Sequence, residues 1–190
     1  MRKYVPTLAA LALTLAAVAP VAPLQAQHMD RMTMVGGQMM SPRKTIVDNA
    51  VNSADHTTLV AAVKAAGLVP TLEGKGPFTV FAPTNAAFSA LPAGTVSDLL
   101  KPENKPTLVK ILTYHVVAGN YTAAKLMDAI QKGGGTAELT TVQGEQLTFK
   151  MNGPRNIVVI DSKGNTANIS TYDVMQSNGV IQVIDRVLMP

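Results

Sequence analysis

The chain has 190 residues, a formal net charge of +4, and neither cysteine nor tryptophan. Without cysteine the domain cannot be stabilised by disulfide bonds or anchored as a lipoprotein, so we expect an apolar core to stabilise it. Basic and acidic residues are interspersed, and the sequence lacks the basic stripe with aromatic residues that is typical of nucleic-acid binding.

Residues 1–26 predict a secretory signal peptide. Arg2 and Lys3 give a positive start, an apolar run extends from Leu8 to Val18, and Ala26 is a small residue suited to cleavage. The run is too short for a membrane span of about 20 residues, although a retained membrane anchor is the alternative. We therefore expect a protein that is secreted or periplasmic after cleavage, without a transmembrane span.

Residues 27–40 predict a flexible, methionine-rich arm, because they follow neither a helical nor a strand period and contain two adjacent glycines. Thioether and imidazole groups are soft ligands that suit Cu(I). A periplasmic metal-handling protein is therefore the alternative to a binding module. Its candidate ligands are His28, Met29, Met32, Met34, Met39 and Met40.

The first half of the domain, from residue 41, predicts mainly helices. A short helix is expected at residues 45–51, and a longer one at 57–66 that Gly67 ends. Residues 77–82 predict a strand covered on both sides, because apolar side chains occupy both of its faces. Further helices are expected after the capping residues Thr84, Thr95 and Thr122. Another is expected to have Pro106 in its first turn.

The second half predicts strands separated by turns. An extended segment is expected at Thr113–Val117, and a further helix follows it. A tight turn at Asn178-Gly179 is expected to precede the last strand. Helices in the first half of the domain and hairpins in the second half favour an α+β fold over an alternating α/β fold. The five strands are expected at Thr136–Val142, Gln146–Met151, Asn156–Ile160, Thr166–Ser170 and Val180–Leu188.

Three blocks of sequence resemble the fasciclin-like domain family. They are Gly76-Pro77-Phe78-Thr79-Val80-Phe81-Ala82-Pro83-Thr84-Asn85-Ala86-Ala87-Phe88, then Ile111-Leu112-Thr113-Tyr114-His115-Val116-Val117-Ala118-Gly119, and finally Asn178-Gly179-Val180-Ile181-Gln182-Val183-Ile184-Asp185. They occur in the order found in that family, and the resemblance covers residues 41–190. It implies a fasciclin-like wedge, in which a β-sandwich-like core packs against several helices of the N-terminal half.

The resemblance also implies a function. Members of this family act in cell adhesion or in contact with the extracellular matrix, so we expect a non-enzymatic module that binds a cell-surface or matrix protein or glycan without a cofactor. The sequence itself contains neither a Gly-x-Ser-x-Gly elbow nor a His-x-x-x-His pair, and no catalytic residue is predicted.

Two segments are candidates for partner binding by this resemblance. Tyr114-His115 matches a motif that is linked to receptor binding in animal relatives. As neighbours in an extended segment the two side chains would point to opposite sides, so the alternative is that one of them belongs to the core. Asp173, Val174 and Met175 precede Asn178, where animal relatives present an integrin-recognition tetrapeptide. A loop carboxylate can complete a partner's divalent-ion site, but Asp173 could also simply cap or hold a turn.

Gln182 departs from the family pattern, which usually has histidine at this position. An amide can replace an imidazole as a hydrogen-bond donor and acceptor, but it does not titrate near neutral pH. Any pH-dependent behaviour that depends on that histidine should therefore be absent from this protein.

Overall fold

The structure, a computed structural model, describes residues 32–190. The predicted signal peptide, together with His28 and Met29 of the predicted arm, lies outside the described residues. The described helices are α1 (Ile46–Ala50), α2 (Thr57–Ala66), α3 (Val69–Leu72), α4 (Asn85–Ser89), α5 (Thr95–Leu99), α6 (Lys105–Tyr114) and α7 (Ala123–Lys132). The strands are β1 (Thr33–Val35), β2 (Gln38–Met40), β3 (Phe78–Pro83), β4 (Val116–Ala118), β5 (Thr136–Thr140), β6 (Gln146–Asn152), β7 (Asn156–Ile160), β8 (Thr166–Gln176) and β9 (Gly179–Ile184).

Strands β3 to β9 form one sheet in the order β4-β3-β9-β8-β7-β6-β5. Neighbouring strands are antiparallel, except that β3 and β9 run parallel. The sheet curls until its two edges meet, because Val117 of β4 bridges to Thr141 directly after β5. The predicted α+β fold is confirmed, and its sandwich-like part is one nearly closed sheet.

The two faces of the sheet border two separate cores. On the outer face, apolar residues of helices α1 to α6 pack against Val80 of β3 and Ile181 of β9. Inside the curled sheet, Phe81 packs against Phe149 with ring centroids 5.3 Å apart, and Leu126 of α7 closes the interior. The prediction that β3 is covered on both sides is confirmed.

Strand β9 lies in the middle of the sheet, and all six of its residues are buried. Parallel pairing with β3 is close, since a Cβ atom on Gly179 would collide with the carbonyl oxygen of Phe78. The strand is shorter than predicted. It ends at Ile184, after which Val187 and Leu188 are buried outside any strand.

The turn before β9 differs in position from the prediction. Residues 177–178 form the turn, and Gly179 already pairs with Gln176 as the first residue of the strand. The side chain of Asn178 is buried and joins distant segments. Its Oδ1 accepts a hydrogen bond from the amide of Ile46 at 3.0 Å, and its Nδ2 donates to the carbonyl of Leu72 at 2.7 Å. Asn178 therefore connects the start of α1 to the end of α3.

Several helices begin or end at the capping residues that the sequence predicted. Gly67 ends α2 in a left-handed conformation with φ of 73°, and the Thr84 hydroxyl caps α4 by accepting from the amide of Ala87. Two expectations are wrong. Thr95 is the first residue of α5 after Gly94 and not its cap. The segment around Thr113 is not extended, because α6 continues to Tyr114.

The predicted flexible arm is wrong for the part that the structure describes. Residues 33–40 form a hairpin of β1 and β2, in which Met34 pairs with Met39 across the two strands. Val35 and Met40 are buried in the helix-side core. The glycines at the turn have positive φ values of 57° and 74°, which a tight hairpin turn requires.

We expect two C-terminal truncations to differ sharply. Ending the chain after Gly179 removes the central strand, so the truncated protein should show no cooperative thermal transition. Ending it after Ile184 keeps β9 and removes buried Val187 and Leu188. Since each buried apolar side chain contributes about 1.5–3 kcal/mol, the free energy of unfolding should fall by about 3–6 kcal/mol. A parent-like transition in the shorter protein would refute the role of β9.

Candidate functional site

Tyr114 and His115 are both core residues in the structure. Tyr114 is the last residue of α6 and His115 follows it, with 0% and 2% of their surfaces exposed. The expectation that the two side chains point to opposite sides assumed an extended segment, and the end of a helix does not impose that alternation. A partner could touch either side chain only if the domain opened.

His115 holds the segment that follows β9. Its Nε2 accepts a hydrogen bond from the amide of Leu188 at 3.0 Å, so Nδ1 carries the proton and donates to the carbonyl of Ile111 at 2.8 Å. Burial lowers the pKa of His115 to about 4. The imidazole is therefore neutral at pH 7, as an acceptor of an amide hydrogen bond must be.

Tyr114 and Asp161 also form hydrogen bonds near the segment that follows β9. The Tyr114 hydroxyl donates to the carbonyl of Gln146 at 3.0 Å and accepts from the amide of Ser162 at 2.9 Å. The Asp161 carboxylate accepts from the amide of Met189 at 3.0 Å. The sequence did not predict that Asp161 lies close to Tyr114-His115, because no local pattern links them.

Asp173 lies inside strand β8, at an irregularity in its pairing with β9, and not in a loop before Asn178. Its φ is 55°, the one positive value among the described residues other than glycine. The Oδ1 atom accepts from the amide of Ala123 at 2.7 Å and from Nε2 of Gln182 at 2.9 Å. Asp173 thus connects the start of α7 to the centre of the sheet.

Gln182 is fully buried with its amide satisfied. Its Oε1 accepts from the amide of Asp173 at 3.0 Å, and its Nε2 also donates to the carbonyl of Tyr121 at 3.1 Å. This geometry explains how a residue that does not titrate fits the position where the family usually has histidine. The expected absence of a pH response there stays a prediction.

Val174 and Met175 do not extend Asp173 into an exposed recognition segment. Val174 is buried in the helix-side core, and Met175 is half-buried. A role of Asp173 or Met175 in partner binding stays a prediction. Contact with the Asp173 carboxylate would compete with two internal hydrogen bonds.

The β1–β2 hairpin carries an exposed apolar surface, which we call the methionine face: Met32, Met34 and Met39, each between 52% and 66% exposed. Met34 and Met39 are directly opposite each other, so their side chains project from the same side of the hairpin. Met40 projects into the core instead. The Gly36-Gly37 pair between two short segments that contain methionine was the signal that could have predicted this hairpin.

Residues 32–190 contain no group of three or more His, Asp or Glu residues placed to hold a metal ion. Within the same range, no helix is long and apolar enough to cross a membrane. The acidic and histidine side chains described above are instead engaged in contacts within the domain.

Comparison with known proteins identifies the family. The profile of the fasciclin domain matches residues 54–190. The chain therefore belongs to the fasciclin domain family. Among solved structures, a FAS1 domain pair from the insect cell adhesion molecule fasciclin I superimposes with a TM-score of 0.68 and 21% sequence identity, covering 77% of this chain and 51% of that one. This likeness concerns the fold alone.

Curated relatives come from bacteria and animals. A Synechocystis protein, sll1483, is 48% identical over 90% of this chain and 87% of its own length. The immunogenic protein MPB70 of Mycobacterium bovis is 37% identical over 74% of this chain and 66% of its own. The porcine transforming growth factor-beta-induced protein ig-h3 is 35% identical over 85% of this chain, which spans 21% of that longer protein.

The buried His115 should make stability depend on pH. Its pKa of about 4 in the folded protein lies below the ordinary value of 6.5, so the unfolded chain binds more protons between these values. The free energy of unfolding should therefore fall by roughly 2 kcal/mol when the pH falls from 7 to 5. Urea denaturation at each pH measures this loss, and His115→Gln is the control. An unchanged pH dependence in that variant would contradict the assignment.

Removing the side-chain amide of Gln182 should destabilise the fold more than the change in side-chain volume alone would. In Gln182→Leu the amide of Asp173 and the carbonyl of Tyr121 lose their partners inside the protein. Because each of these two unsatisfied buried groups costs about 1–3 kcal/mol, we expect a loss of about 2–6 kcal/mol in chemical denaturation. Gln131→Leu, on the exposed side of α7, should change stability by less than about 0.5 kcal/mol. Equal effects of the two substitutions would rule out the buried network.

Proposed function

We propose that the protein is an exported, non-enzymatic binding module that mediates cell adhesion or contact with a cell-surface or matrix component. The observation that carries the proposal is the methionine face. It supplies three of the five large apolar side chains that are well exposed among the described residues. Clustered exposed apolar side chains are typical of protein contact sites, and flexible thioethers adapt to differently shaped partners.

The structural comparison is consistent with this class of function. The protein containing the matched FAS1 domain pair is described as a cell adhesion molecule, and one mycobacterial relative, MPB83, as a cell surface glycolipoprotein. The chemistry of the methionine face favours a protein partner over a glycan, because sugars prefer aromatic platforms and this face has none. Polar residues inside the domain contribute rigidity rather than reactivity.

The Cu(I) alternative draws on the same methionines but gains no support from their placement. Met40 belongs to the core and is separated from the methionine face. A soft-metal site would need several thioethers directed toward one point. The proposed contact surface needs only that the side chains share one exposed side.

An adhesion assay tests the proposal. Beads coated with the mature protein are counted on the producer's own cells and on its isolated envelope material. The triple variant Met32→Gln, Met34→Gln and Met39→Gln should bind at least about fivefold fewer beads, because a few side chains carry most of the energy of a contact. Thermal unfolding should change little, since the substituted side chains are exposed.

A matched substitution controls for loss of exposed apolar area. Val142→Gln changes a side chain that is 47% exposed outside the hairpin, and its beads should adhere like the parent's. Undiminished adhesion of the triple variant would refute the proposed surface. Titration with Cu(I) distinguishes the contact surface from the metal-handling alternative. Tight binding of Cu(I) by the parent that the triple variant loses would favour metal handling.

A further inference from the structure

Methionine is the only sulfur-containing residue of this chain, because the sequence has no cysteine. Residues 32–190 contain eight methionines, and the three that are well exposed form the methionine face. The other five are buried or half-buried, and they are Met40, Met127, Met151, Met175 and Met189. Within the described part of the chain, the thioethers that a solute can reach freely are therefore collected on one hairpin.

Met39 and Met40 are neighbours in β2 but have opposite environments. Met39 is 52% exposed, whereas Met40 is 3% exposed. Successive side chains of a strand point to opposite sides, so Met40 packs with Val35 in the helix-side core while Met39 lies beside Met34 in solvent. The side chains that attach the hairpin to the domain are thus different from those that a solute can reach.

An exposed thioether is open to two-electron oxidation by a peroxide. A lone pair of the sulfur attacks one oxygen of hydrogen peroxide, and the O–O bond breaks as the S–O bond forms. The departing hydroxide takes the proton from the new S–OH group and leaves as water. The sulfur is oxidised to a sulfoxide and the peroxide is reduced. Methionine sulfoxide reductases reverse the change with a thiol reductant, which becomes a disulfide while the oxygen leaves as water.

We propose that Met32, Met34 and Met39 form a site of reversible oxidation by peroxides, and that their sulfoxides weaken the contact made by the methionine face. The second half of this inference rests on the proposed function. Met34 and Met39 are directly opposite each other, so their sulfoxides place two polar groups side by side on one small surface. Burying these groups against an apolar partner costs free energy. The buried Met40 keeps the hairpin attached to the core.

Peptide mass spectrometry of the full mature protein after treatment with hydrogen peroxide tests the site. In the native protein, Met39 should gain an oxygen atom at least about tenfold faster than Met40, and Met32 and Met34 should react like Met39. Tandem fragmentation distinguishes the two neighbours. In urea that unfolds the domain, Met39 and Met40 should react at similar rates, because only the fold protects Met40. Equal rates in the native protein would overturn the site.

The bead assay tests the effect on adhesion. Peroxide should lower the adhesion of parent beads at least about fivefold, and treatment with methionine sulfoxide reductases A and B should restore it, because each enzyme reduces one sulfoxide epimer. The thermal transition of the oxidised protein should stay like that of the untreated protein. A clearly lowered transition, or a loss of adhesion that the reductases do not reverse, would overturn the inference.

A leucine variant provides the matched control. The triple variant Met32→Leu, Met34→Leu and Met39→Leu keeps an apolar surface of similar volume but cannot form sulfoxides there. Its beads should adhere within about twofold of the parent's, both before and after peroxide. If peroxide lowers the adhesion of this variant as it does the parent's, the sensitive group lies elsewhere and the regulation is refuted.

The glutamine variant distinguishes failure of this inference from failure of the proposed function. If the triple glutamine variant loses adhesion but the oxidised parent keeps it, the methionine face is the contact surface and its regulation by oxidation is refuted. If the glutamine variant adheres like the parent, the contact surface itself fails and the regulation fails with it. The rates measured for Met39 and Met40 decide separately whether the hairpin is a site of oxidation.

Discussion

The parallel pairing of β3 with β9 is the interaction on which the rest of the structure depends. Strand β3 belongs to the helical first half and β9 completes the series of hairpins, so their contact joins the two halves along six residue pairs. Both faces of the two strands are buried, which allows a separate core on each side of the sheet. Gly179 permits the close approach, and Asn178 ties the beginning of β9 to the helices.

The Tyr114-His115 pair illustrates how a recognisable sequence block can serve the fold. Both side chains are buried, and with Asp161 they fix the amides of Leu188 and Met189 after the central strand. A resemblance that rests on such residues is strong evidence for architecture and weaker evidence for a partner. The exposed apolar side chains lie elsewhere, and three of the five large ones belong to the methionine face.

Local patterns in the sequence predicted those elements whose limits depend on neighbouring residues. Helix α2 and strand β7 have the predicted bounds, because Gly67 ends the first and turns flank the second. Contacts between distant segments were not predictable in the same way. The hydrogen bonds from the amide of Ala123 to Asp173 and from the amide of Ile46 to Asn178 both depend on how whole elements pack. The first hairpin was missed because its strands are only three residues long.

The central position of β9 also affects how the domain forms during synthesis. Every other described element precedes β9 along the chain, and β3 and β8 cannot be joined until that strand leaves the ribosome. Until then the nascent polypeptide has two incomplete halves of the sheet, each with an exposed strand edge. Contacts between parts so distant in sequence form slowly. The native topology is therefore established only after β9 is available to both of its neighbours in the sheet.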